Sequence, residues 1–181
     1  MKTPKSQPYP ATKVFVGAVL YSAFAEEDGK SIKTGFREWV VRSIRAERRP
    51  RHRPLPPGVE PTKYVELVLK NCVTWGKLSP KKGDAGWKTS ISADFRETFR
   101  VGRPLPLGIY TTQRAALAWE LANWRDMVEH YEADIAHAES EESKAEFVAE
   151  LALTHRLIEA LQRRFGRMKK LSLRTRQENT Q

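Results

Sequence analysis

The chain has a single cysteine, Cys72, among its 181 residues, and no apolar run near the roughly 20 residues that span a bilayer. The first scarcity excludes an intrachain disulfide and a cysteine-built zinc site, and it fits a reducing, cytoplasmic setting. The second leaves no membrane-spanning helix to read and no membrane partner to expect. A glycine-rich phosphate loop is also missing: Gly29-Lys30-Ser31 ends like one, but Phe24 stands where its first glycine is required. No serine has a nucleophile-elbow context, and Glu26, Glu27 and Asp28 read as a solvated run rather than a carboxylate pair. His130, Asp134, His137 and Glu141 have ligand-like helical spacing, yet they flank an apolar seam where polar residues belong in any case. The expectation is a protein that is not an enzyme and needs no cofactor and no metal.

What the chain has is positive charge, 32 basic against 22 acidic side chains, for a net +10. It is unevenly placed. Residues 1–61 carry +6 and 62–110 carry +5, 111–162 carry −7, and 163–181 return to +6. The densest stretch is Arg42 to Pro57, RSIRAERRPRHRPLPP, which reads as an arginine-loaded helix running into a proline-stiffened arm.

The expected fold class is mainly α. A polar, proline-rich arm covers 1–11, and a basic, mainly helical domain covers 12–110. Val14 to Ala25 is apolar on every side, so its periodicity does not separate buried helix from buried strand, and Ala23-Phe24-Ala25 also resembles a secretory cleavage site after a short apolar stretch. A buried helix ending at Gly29 is preferred. From Thr34, the residues Phe36, Trp39, Val40 and Ile44 make an apolar helical stripe, with Arg42, Arg45 and Arg49 on another face. A third helix is expected where Val65, Val68, Leu69 and Cys72 share a face, and a short one over Ala93 to Arg100. Between them, 73–92 suggests a small β-hairpin around Trp75 and Trp87.

The last third is the most regular. Leu117, Leu121, Trp124, Val128, Tyr131, Ile135 and Ala138 are spaced 4-3-4-3-4-3, and Phe147, Leu151, Thr154, Ile158, Leu161, Phe165 and Met168 repeat that spacing. The nine-residue step between the two sets breaks the register, so Ser140 to Ser143 should turn the chain, with Ser143 and Glu146 as a capping box. An antiparallel, coiled-coil-like αα-hairpin over 111–168 and a basic tail over 169–181 result.

Arg42, Arg45, Arg48, Arg49, Arg51 and Arg53 are candidate phosphate contacts, because guanidinium forks suit phosphate oxygens. Pairing with the acidic hairpin is the competing explanation. Lys77, Lys81 and Lys82 interleave with Trp75 and Trp87 as lysines and aromatics do where unpaired bases stack, although such tryptophans also pack hairpins onto cores. The favoured function is non-catalytic binding of DNA or RNA through the backbone, with a homodimer formed by the hairpin or recruitment of another protein. The alternative is an interaction module, an adaptor or inhibitor compatible with a mobile-element origin, whose basic face meets an acidic protein surface. A ribonucleoprotein subunit is a third option.

Overall fold

The structure, a computed structural model, describes residues 13–47, 55–72, 75–77, 85–87 and 93–178. Its elements run β1 (Val19–Asp28), β2 (Ser31–Ala46), β3 (Lys63–Leu69), β4 (Trp75–Lys77), β5 (Ala85–Trp87), β6 (Arg96–Arg100), α1 (Gln113–His137) and α2 (Glu141–Glu178). Four strands form one antiparallel sheet in the order β1-β2-β3-β6, and β4 and β5 pair separately. With six strands among the described residues, four of them in one curled antiparallel sheet, the expected mainly helical class is wrong. The helices expected over Val14 to Ala25, Thr34 to Arg49, Val65 to Cys72 and Ala93 to Arg100 are replaced by β1, β2, β3 and β6, with single 3-10 turns at Lys70–Cys72 and Ala93–Phe95.

The physical reason is burial on both faces. On β2 Trp39 and Val41 point one way and Val40 the other, and on β3 Val65 and Leu67 oppose Val68; all six are buried. Apolar doublets on a strand covered on both sides erase the period of two, and four apolar residues in seven then imitate a helical stripe. The β-branched and aromatic content of IKTGFREWVVRSI and KYVELVL was the better guide.

The described residues fall into two compact units, 13–21 with 37–111 and 22–36 with 112–178. In the first, one face of the sheet supplies a core of Leu20, Trp39, Val41, Val65, Leu67 and Phe99. A bulge between Val41 and Ser43 inserts one residue into β2, so that Ile44 opposes Val65 and packs on that same core while Ser43 turns outward. After β6 the chain turns at Arg100–Arg103, where Gly102 (φ 77°) closes a 3.0 Å bond between the ends. Val101, Leu105 and Ile109 then pack on the core, and Tyr110 exchanges two 2.8 Å backbone bonds with Tyr21 of β1.

In the second unit, β1 and β2 meet through the two-residue loop Gly29-Lys30. Gly29 (φ 61°) occupies the first central position, as a type II′ turn requires, so the glycine that reads as a helix stop is a hairpin tip. Thr112 caps α1 by accepting the Ala115 N–H at 3.2 Å. Ser140 accepts the Ser143 N–H at 3.1 Å, so α2 starts three residues earlier than the Ser143–Glu146 capping box implied. The helices pack together across a connection of only Ala138 to Ser140, and are therefore antiparallel. Leu117, Leu121, Thr154, Ile158 and Leu161 are buried, and every other residue of the two 4-3 sets is half-buried. The hairpin tip is fastened to α2 by arginines: Arg156 meets Glu27 at 3.0 Å, and Arg164 donates to the Thr34 carbonyl at 2.8 Å with its guanidinium 4.6 Å from the centre of the Phe36 ring.

Candidate nucleic-acid interface

The strand register that buries Leu67 sends its neighbours to the opposite, outer face of β2, β3 and β6, which is covered around Val40 and Val68 and open at Arg45, Arg96 and Arg100, and there they line up in rungs. Arg45, Tyr64 and Arg100 form one rung, Ser43, Glu66 and Thr98 the next, and Val40, Val68 and Arg96 the third. Arg45, Arg96 and Arg100 are exposed. The Arg100 guanidinium lies 5.4 Å from the centre of the Tyr64 ring, a cation–π contact at an exposed arginine. Strands stand about 4.8 Å apart, so Arg45 and Arg100 are separated by about 10 Å across Tyr64. Neither Arg45 nor Arg96 has an ion-pair partner among the described residues.

Arg42 behaves differently. At the bulge its guanidinium comes within 3.7 Å of the Glu66 carboxylate, with 14% and 19% of the two side chains exposed, and Ser43 Oγ donates to the same carboxylate at 3.1 Å. This arginine is spent on the sheet rather than offered to a ligand. Lys70 is likewise paired, with Glu38, and that hydrogen bond raises its pKa above the ordinary 10.5.

At the end of the sheet that carries Arg45 and Arg100, the Glu47 N–H reaches the Thr62 carbonyl at 2.8 Å, and the Val101 N–H reaches the Lys63 carbonyl at 3.0 Å. The β2–β3 connection therefore leaves from and returns to this end. Arg48, Arg49, Arg51 and Arg53 belong to that connection and lie outside the described residues. Arg103, at the turn after β6, is exposed at the same end. Within the described residues the expected arginine helix is replaced by β2, so Arg42 and Arg45 sit on a strand instead.

Trp75 of β4 pairs with Trp87 of β5, and Lys77 with Ala85, through the backbone. The side chains of Trp75, Lys77 and Trp87 lie outside the described residues, as do Lys81 and Lys82. Sequence reasoning missed Tyr64, Arg96 and Arg100, because it placed them on helices. A period-two reading of KYVEL and RETFR would have put Tyr64 on the outer face of β3, and Arg96 and Arg100 on that of β6.

Net charge follows the fold. Residues 37–111 hold 16 basic and 7 acidic side chains (+9), whereas 112–181 hold 11 and 12 (−1). Among the described residues no cluster of three metal-ligating side chains occurs, and no helix is long and apolar enough to cross a membrane. His130 and His137 each turn Nδ1 back to a carbonyl of their own helix at 2.7 Å. The chain matches no protein-family model, no curated protein and no solved structure.

Proposed function

We propose that the protein binds nucleic acid without catalysing a reaction on it, through phosphate contacts made by the outer face and basic end of the β2-β3-β6 sheet. Arg45, Arg96 and Arg100 are the contacts in this reading, continued by Arg48, Arg49, Arg51 and Arg53 of the β2–β3 connection, with Lys77, Lys81 and Lys82 in support. The observation that carries it is the rung Arg45-Tyr64-Arg100, both of its arginines exposed, at the end of the sheet where the β2–β3 connection leaves and returns. Guanidinium forks suit backbone phosphates, and phosphate contacts by themselves carry no base sequence.

Binding of duplex DNA, single-stranded DNA and RNA, each titrated with salt, tests the reading. Neutralised phosphates release counterions, so log K should fall steeply with log salt, and an Arg45/Arg96/Arg100 to alanine variant should lose about 0.7 to 0.9 from the slope per contact removed. No binding of any of the three at ~50 mM salt would overturn it.

A protein-interaction module is the second reading. It is favoured by the acidic, exposed end of the helical hairpin, where 126–150 carry nine acidic side chains against Lys144. Salt-steep binding to all three nucleic acids separates the first reading from this one.

A further inference from the structure

The three rungs on the outer face of the sheet hold one aromatic side chain, Tyr64, and it stands in the rung at the open end. Arg45 and Arg100 flank it on the neighbouring strands, each about 4.8 Å away. Farther along, the face closes over β2 and β3, where Val40 and Val68 are buried, and opens again at Arg96 on the edge. The open end is therefore small, about 10 Å across three strands and about 7 Å along two residues of strand. Its second rung, Ser43-Glu66-Thr98, adds no cation.

Tyr64 is half-buried, while Arg100, whose guanidinium lies over the ring, is exposed. The ring thus has a face that is reached from solvent. The planar group now on it is a loose occupant, because 5.4 Å from the ring centre is close to the ~6 Å limit of such contacts. A nucleobase is a planar group too, and stacking on an aromatic ring or a guanidinium plane is how unpaired bases are held.

We infer, resting on the nucleic-acid reading, that this end of the sheet takes single-stranded nucleic acid in preference to duplex, with one unpaired base stacked on Tyr64 and the flanking phosphates met by Arg45 and Arg100. A single strand places a phosphate on each side of every nucleoside, and the rung places an arginine on each side of Tyr64. In a duplex both faces of an interior base are covered by the neighbouring pairs, so a base reaches the ring only after unpairing and unstacking. Duplex is left with the phosphate contacts alone. Every base has a face to stack, so the preference is for strand type and not for sequence.

Fluorescence anisotropy of labelled strands separates stacking from charge. The probes are oligothymidylate, oligouridylate, a duplex of the same length, and an abasic strand that keeps every phosphate and sugar but has no bases. The full chain is expected to bind at least one of the two base-bearing single strands about 5- to 150-fold more tightly than the abasic strand, the fold-change of one base stacked on an aromatic ring, and more tightly than duplex. The tighter of the two distinguishes RNA from DNA. Tyr64→Leu should abolish the ratio to the abasic strand yet keep the salt slope, because phosphate contacts release counterions and stacking does not. Tyr64→Thr, a strand-forming residue without a ring, should do the same, and Tyr64→Phe should keep the ratio. Unchanged binding of the abasic strand by each variant shows that it is folded. Equal binding of abasic and base-bearing strands by the parent, a ratio that survives in Tyr64→Leu or Tyr64→Thr, or duplex bound as tightly as single strands would each overturn the inference and leave the phosphate reading in place. No binding of any strand at ~50 mM salt would remove that reading and this inference with it.

Discussion

The Phe24 ring lies across the β1–β2 pair directly over Gly35. The two-residue loop sets positions 24 and 35 opposite each other, and a Cβ at Gly35 would fall closer than 3.0 Å to both Cζ and Cε1 of that ring. Gly35 has no left-handed backbone that would demand glycine, so it is there for space. Replacement by alanine is expected to cost about 1–3 kcal/mol by overpacking. Phe24→Leu should restore part of that loss in the Gly35→Ala background, while costing stability by itself. Urea melts of the two single variants and the double measure the coupling, and simple additivity would show that the ring is not what alanine meets.

Arg164 fastens strand to helix in a way that lysine cannot copy. Its guanidinium stacks on Phe36 while donating to the Thr34 carbonyl, and its buried Nε has no hydrogen-bond partner among the described residues. Arg164→Lys keeps the charge but loses the planar stack, and a loss of about 1 kcal/mol is expected. Arg163→Lys, one residue away on an exposed surface pair with Glu159, should change the melting temperature little, because such pairs contribute under about 1 kcal/mol. Equal effects of the two substitutions would remove the special role given to Arg164.

Alkaline pH should loosen the fold through two groups. Burial pushes the Tyr110 hydroxyl above the ordinary 10.0, and the hydrogen bond and charge of Glu38 raise Lys70 above 10.5. Both hold their protons more tightly folded than unfolded. Their contribution is complete below the unfolded values and is lost as pH rises through the folded ones, so stability falls on the alkaline side. Melting temperatures from about pH 8 to pH 12 should decline, and Tyr110→Phe should flatten the tyrosine part of that decline. An unchanged slope in Tyr110→Phe would show that burial does not govern its ionisation.

The helical hairpin was legible in the sequence because each helix buries one stripe and leaves the rest in water. Leu117 and Leu121, or Ile158 and Leu161, therefore stand out at their true spacing. The sheet was not legible for the opposite reason: Val40 and Val68 are buried on the face away from Trp39, Val41 and Leu67, and two-sided burial hides alternation. The site suffered the same fate. A helix groups Arg42, Arg45 and Arg49, whereas a bulged strand turns Arg42 to Glu66 and groups Arg45 with Tyr64 and Arg100, two strands distant in sequence. Only pairing partners define such a group, and a single sequence does not print them.

That regrouping separates two arginines three residues apart. Arg42→Ala strands the Glu66 carboxylate with little more than Ser43 to satisfy it, in a place where both charged partners are mostly covered. Removing one member of such a pair is expected to cost about 1–3 kcal/mol, less than for a fully buried pair. Arg45→Ala removes an exposed side chain with no described ion-pair partner, so its melting temperature should match the parent. The binding measurements should run the other way. Arg45→Ala is expected to lower the salt slope by about one and weaken DNA and RNA alike, since a phosphate contact reads no sequence. Arg42→Ala, measured well below its melting temperature, should bind with the parent's slope. Unfolding by urea and salt-titrated binding on the same two proteins check both halves. A slope lost in Arg42→Ala but kept in Arg45→Ala would move the interface off the outer face of the sheet.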